Sequence, residues 1–251
     1  MARFKVPKVA PKSRWAMIAG AVIALFTGIA AEAQRGPSGY QGQSGRQQKT
    51  YEAGKFDYYV TSLSWSPSYC ANARGGRADD QQCAPRDGKR FSFVLHGLWP
   101  QFEKGWPQDC KSEAGDRVPR QVADRMLDIM PSDKLVFHEW RKHGTCSGLS
   151  IDGYFNLARE MHNKVKIPQR YQQTNDPRLT VSPDEVINDF IGSNPGLKRD
   201  MIVVKCGGPG NRMEEVRVCS DKQGAFRACG RNEDQRKACS AAKMYVPPVR
   251  S

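Results

Sequence analysis

Phe93-Val94-Leu95-His96-Gly97-Leu98-Trp99-Pro100 and Ser132-Asp133-Lys134-Leu135-Val136-Phe137-His138-Glu139-Trp140-Arg141-Lys142-His143-Gly144-Thr145-Cys146 are the two stretches on which this chain turns. The first completes a strand-like run over residues 91–95, with His96 at its end and Gly97 and Pro100 breaking it. The second reads as an α-helix, with Ser132 as N-cap and Gly144 as stop. On that helix His138 and Lys142 are i,i+4 neighbours, as are Glu139 and His143, so the four share one broad face. Trp140 points elsewhere, into the core. Three of the four histidines fall in these two windows. Histidine is the side chain whose charge changes near neutrality, so the pattern is that of an acid–base site.

Residues 56–65 are rich in aromatic and β-branched side chains and read as a strand closed by Pro67. Residues 74–90 are rich in Gly, Asp and Arg and read as a surface loop. Val122, Met126, Ile129 and Met130 recur at helical intervals, with Pro119 in the first turn and Pro131 as the stop. Further helices are expected over residues 152–165 and 182–191, the latter with Ser182 as N-cap and Pro183 at the first helical position. Residues 201–205 and 215–219 read as strands joined by an antiparallel return through Gly207-Gly208-Pro209-Gly210. Strands at both ends with helices between them indicate an α+β fold.

Residues 1–33 have the layout of a secretory signal peptide: Arg3, Lys5, Lys8, Lys12 and Arg14, then an uncharged run, then Ala31-Glu32-Ala33 as a cleavage site. The run, residues 16–31, is 16 long, short of the roughly 20 that span a bilayer. Residues 34–50 are rich in Gly, Gln and Ser and are expected to form a disordered lead-in to a single domain over 51–251. Export to the periplasm or the medium is expected, as a monomer without stable membrane association once the signal is removed. Without residues 1–33 the chain keeps 34 Lys+Arg against 25 Asp+Glu, a net charge of +9 that favours an anionic partner.

All eight cysteines (Cys70, Cys83, Cys110, Cys146, Cys206, Cys219, Cys229 and Cys239) lie in the body. An even count behind an export signal argues for four disulfides, and 105 pairings are open. Zinc is disfavoured: no C-x2-C pair occurs, and His138 and His143, the nearest approach to an H-x3-5-H partner, have no suitably spaced cysteine pair. His138-Glu139 begins an H-E-x-x-H pattern, but Lys142 stands where the second histidine belongs. His143, at i+5, lies about 140° around the helix from His138. No metal ligand set and no cofactor are expected.

Two or three imidazoles, a carboxylate and an ammonium suit cleavage of RNA, which carries its own nucleophile in the ribose 2′-OH. A base takes the 2′ proton, an acid protonates the departing 5′ oxygen, and cations face the phosphorane. DNA lacks the 2′-OH and is not expected to be cut.

His96-Gly97-Leu98-Trp99-Pro100 and His138-Glu139-Trp140-Arg141-Lys142-His143-Gly144-Thr145-Cys146, in this order and separation, resemble the two active-site motifs of the ribonuclease T2 family of secreted endoribonucleases. The resemblance covers the body from about Tyr51 to Cys239. It implies a curved antiparallel sheet and single-stranded RNA cleavage through 2′,3′-cyclic phosphates. It also implies an acid–base pair of His96 and His143, with His143 favoured as base, and Glu139 assisting in catalysis. His138 and Lys142 would bind phosphate, and Trp99 and Gln101 would bind a base. The implied disulfides are Cys70–Cys83, Cys110–Cys146, Cys206–Cys239 and Cys219–Cys229. Gln101 replaces an Asp or Asn of many relatives, and Leu135 replaces an aromatic.

Overall fold

The run of β-formers after Phe56 becomes β1, Tyr58–Trp65, in the computed structural model of the chain, which describes residues 50–72 and 81–249. After it come α1 (Ser66–Asn72), β2 (Phe93–Gln101), α2 (Arg120–Met126), α3 (Asp133–Lys142) and α4 (Ile151–Lys164). The chain continues through β3 (Thr180–Val181), α5 (Pro183–Ser193), β4 (Ile202–Gly207), β5 (Arg212–Ser220), α6 (Gln235–Ala238) and β6 (Met244–Tyr245). The signal peptide, all of the lead-in but Thr50, and residues 73–80 of the surface loop lie outside the described residues.

The six strands form one sheet in the order β2-β1-β5-β6-β3, with β4 also paired to β5. Pairing is antiparallel, as expected, but for the single pair Arg212↔Tyr245, where β5 meets β6 in parallel. The three longest helices, α3, α4 and α5, come from the middle of the chain, as the α+β reading requires.

One strand departs from its expected limits in a way that matters. β2 does not stop at His96; it runs on to Gln101, and Gly97 to Gln101 pair with Ser62 to Tyr58 of β1. Pro100 is tolerated because β2 is an edge strand, where one N–H fewer is least disruptive. The register shifts between Ser62 and Leu63, which face Gly97 and Leu95, so His96 is the extra, unpaired residue of a β-bulge. Leu95 N–H donates instead to Ile129 O at 2.8 Å, in the turn after α2. That turn is also why α2 ends at Met126 rather than continuing to Met130, and Pro119 is its N-cap residue rather than its first helical one.

The remaining helix signals hold. Ser132 caps α3 and accepts from Leu135 N–H. Ser182 and Glu185 form a reciprocal capping box on α5. Trp140 of α3 is fully buried, with ring centroids of Tyr154 and Phe155 at 5.6 and 6.4 Å. A second aromatic set, Trp65, Phe93, Tyr171 and Phe190, packs the other part of the core. The helix face bearing the site is thus anchored by apolar burial on its opposite side.

Four disulfides are present: Cys70–Cys83, Cys110–Cys146, Cys206–Cys239 and Cys219–Cys229. The second ties the short helical turn Gly144–Ser147, directly after α3, to the loop that follows β2. Among the described residues no helix is long and apolar enough to cross a membrane.

Candidate active site

The bulge turns His96 toward β5, two strands away. Its Nδ1 lies 2.7 Å from Glu215 Oε1, a charge-assisted hydrogen bond. Glu215 is itself buried, and its other oxygen accepts from Arg217 Nη2 at 2.7 Å and Nε at 2.9 Å. Arg217 continues to Glu233 at 3.2 Å and stacks its guanidinium 5.0 Å above the Trp99 ring. A line of alternating charge therefore runs from His96 into the sheet.

From the other side α3 delivers Glu139, only 1% exposed. Its Oε2 accepts from Trp99 Nε1 at 2.7 Å, and its Oε1 lies 3.7 Å from His96 Nε2. His143 is the residue at which α3 ends, its backbone N–H donating to Glu139 O at 2.9 Å. The His143 ring is tilted against Trp99 at 5.3 Å, while His96 meets the edge of the same indole at 5.1 Å. One buried tryptophan thus separates and orients the two imidazoles.

Their electrostatic surroundings are opposite. Burial works against a charged His96, but the hydrogen bond to Glu215 and the charges of Glu139 and Glu215 outweigh it, and its pKa is raised above 6.5. His143 has no carboxylate partner, and its buried Nδ1 makes no hydrogen bond. Burial, then the charges of Lys142, His96 and His138, push its pKa down to about 3. Burial lifts Glu139 to about 7 despite His96, Trp99 and Lys142. Glu215 goes the other way: burial alone would raise it, but His96 and Arg217 hold it at about 2. His138 is exposed, and its pKa is lowered by partial desolvation and by Lys142 and His96.

A cleft of about 1140 Å³ opens beside this cluster. His96 and His138 reach it, Val94, Leu135, Phe137 and Tyr69 give it apolar walls, and Arg117, Arg120, Lys134 and Arg141 line it with positive charge. An anionic, base-bearing ligand suits such walls.

The fold thus brings His96, Glu139 and His143 together around Trp99, with His138 and Lys142 close enough to act on them electrostatically. The base-binding positions come out differently. Trp99 is only 9% exposed and offers no open face for stacking. Gln101 is buried, with Nε2 on Pro100 O at 3.1 Å and Oε1 accepting from Asn232 at 3.3 Å. Both are committed inward because β2 continues past Gly97 into the sheet. Among the described residues the exposed indole is that of Trp106, on the loop after β2, whose Phe102 and Gly105 carbonyls accept from Asn232. Glu215, Arg217, Glu233 and Trp106 had no motif to betray them; only the alternation of β5 hinted that Glu215 and Arg217 share a face.

Comparison with known proteins bears on the family and the fold. A ribonuclease of Aeromonas hydrophila is 34% identical over 212 residues, 79% of this chain and 89% of that protein. Trichomaglin, described as an S-like ribonuclease, shares the fold at a TM-score of 0.62 with 18% identity, over 78% of this chain and all of that one. RNase NT, solved in complex with 5′-AMP, does so at 0.56 with 24% identity, over 77% and 98%. Residues 56–229, most of the described chain and both histidine windows, match one family throughout, and the chain belongs to the Ribonuclease T2 family.

Proposed function

We propose that this RNA-cleaving enzyme works by transesterification, without a metal, through a 2′,3′-cyclic phosphate. The observation that carries the reading is the opposite electrostatic setting of its two imidazoles around Trp99, half-buried His96 against the Glu215 carboxylate and buried His143 with no carboxylate partner. His143, held neutral, takes the 2′-OH proton. His96, held protonated by its carboxylate partner, gives its proton to the departing 5′ oxygen. The 2′ oxygen forms a bond to phosphorus as the 5′ oxygen leaves. Each proton transfer contributes about 10²–10⁴-fold.

Lys142 and His138 face the phosphoryl oxygens and offset the charge that develops on the phosphorane. Glu139, aimed by Trp99, lies beside Nε2 of His96 and favours its charged form. The basic rim of the cleft holds the RNA backbone, and its apolar walls and Trp106 take the bases. DNA lacks the internal nucleophile. Four disulfides and the export-type leader fit an enzyme that acts in the periplasm or outside the cell.

The test is product chemistry. Single-stranded RNA digested in excess EDTA should give 2′,3′-cyclic phosphate ends, while DNA and fully 2′-O-methylated RNA stay intact. Cutting of the methylated RNA, or loss of activity on chelation with recovery on adding Mg²⁺, would overturn the reading.

A further inference from the structure

Glu215 is a buried carboxylate hydrogen-bonded directly to a site imidazole, and no step above consumes it. Its position is built from several directions. β5 carries it opposite Ser64 of β1, and Arg217, two residues along the same face, grips its second oxygen through Nε and Nη2. Glu233, on the segment before α6, grips Arg217 in turn at 3.2 Å. The first oxygen is left for His96 alone, at 2.7 Å. A carboxylate so fixed dictates which ring nitrogen carries hydrogen, since Nδ1 must donate to it.

We propose that Glu215 is a positioning residue of the cleavage reaction, fixing the His96 imidazole in orientation and tautomer so that Nε2 is the atom that delivers the proton. This rests on the reading of His96 as the acid. In the step itself the Nε2–H bond breaks and the proton passes to the 5′ oxygen as its bond to phosphorus breaks. The ring becomes neutral while Nδ1–H stays on Glu215, which remains an anion throughout. Nε2 is well placed for this: Glu139 Oε1, at 3.7 Å, is beyond hydrogen-bond length, so the proton has no competing acceptor there. Arg217 and Glu233 serve by keeping Glu215 ionised and stationary.

The charged and titratable groups around His96 are Glu215 and Arg217 on β5, Glu139 and His138 on α3, and His143 at its end. Of these only Glu215 bonds the ring. Removing its charge while keeping its shape therefore isolates its effect.

The experiment is imidazole NMR on the full protein, with steady-state kinetics on the same samples. In the unsubstituted protein, neutral His96 should show the Nδ1–H tautomer, and in Glu215→Gln its titration should move down by about one pH unit or more. The alkaline limb of kcat should move down with it. At pH 7 kcat should fall about tenfold or more with KM within about twofold. Glu215→Asp should restore part of both. An Nε2–H tautomer in the unsubstituted protein overturns the proposal without any variant, and so does a His96 titration that Glu215→Gln leaves in place. A titration that moves while the rate profile stays fixed keeps the pairing but rejects His96 as the acid, so that failure is told apart from failure of Glu215 to hold the ring.

Discussion

Gly97 leaves room for Glu139: a Cβ built at Gly97 would stand 2.8 Å from Glu139 Cδ and 2.6 Å from the Trp99 indole nitrogen that bonds it. The residue after His96 is therefore small because the carboxylate of α3 and the tryptophan of β2 meet directly above its backbone. Gly97→Ala should separate that pair. Overpacking costs about 1–3 kcal/mol, and kcat should drop about tenfold or more as Glu139 and both imidazoles shift. Thermal unfolding and steady-state kinetics check this; a variant with native kcat would place the contact outside the reaction.

The buried His143 has a consequence for stability. Its folded pKa, about 3, lies below its ordinary 6.5, so the unfolded chain binds more protons between those values. This residue's contribution is thus fully present above pH 6.5 and is lost progressively as pH falls toward 3. His143→Asn should flatten that part of the Tm-versus-pH curve relative to the unsubstituted protein. A parallel curve for the variant would mean that His143 is not held neutral by the fold.

The Cys110–Cys146 bridge fastens the turn that follows His143. Thiol titration of the denatured, unreduced protein should find none of the eight cysteines of the chain free. Replacing Cys110 and Cys146 together by serine should cost about 2–5 kcal/mol and lower kcat more than KM changes, because the end of α3 loosens. Loss of stability with an unchanged kcat would show the bridge to be remote from the site.

Trp106 and Trp99 should separate by their kinetics. Trp106 is 48% exposed and Trp99 9%. Stacking on an exposed indole is worth about 1–3 kcal/mol per base, so Trp106→Ala should raise KM for RNA about fivefold or more with little change in kcat or Tm. Trp99→Phe, which removes the donor to Glu139, should act on kcat. The opposite pattern would return base stacking to Trp99.

Much of this was legible in the chain and some was not. The helix that carries Glu139 and His143 could be read because its cap, its spacing and its stop are local. So could the β4–β5 return, with glycines at the turn. His96 was misplaced at a strand end because Gly97 and Pro100 read as breakers, whereas pairing with β1 carries the strand through both and expels His96 as a bulge. That pairing is non-local, and so is the step from β1 to β5 that sets Glu215 against His96. Ion pairs across three strands leave no period or spacing in the sequence to find them by.

The division of labour between His96 and His143 is tested most directly by leaving-group rescue. His96→Ala and His143→Ala are assayed on RNA and on a ribonucleoside 3′-phosphodiester whose leaving group is an activated phenolate, which needs no proton to depart. His96→Ala should lose most of kcat on RNA and recover most of it on the activated ester, whereas His143→Ala should be impaired on both. Rescue of His143→Ala with none for His96→Ala would contradict the account.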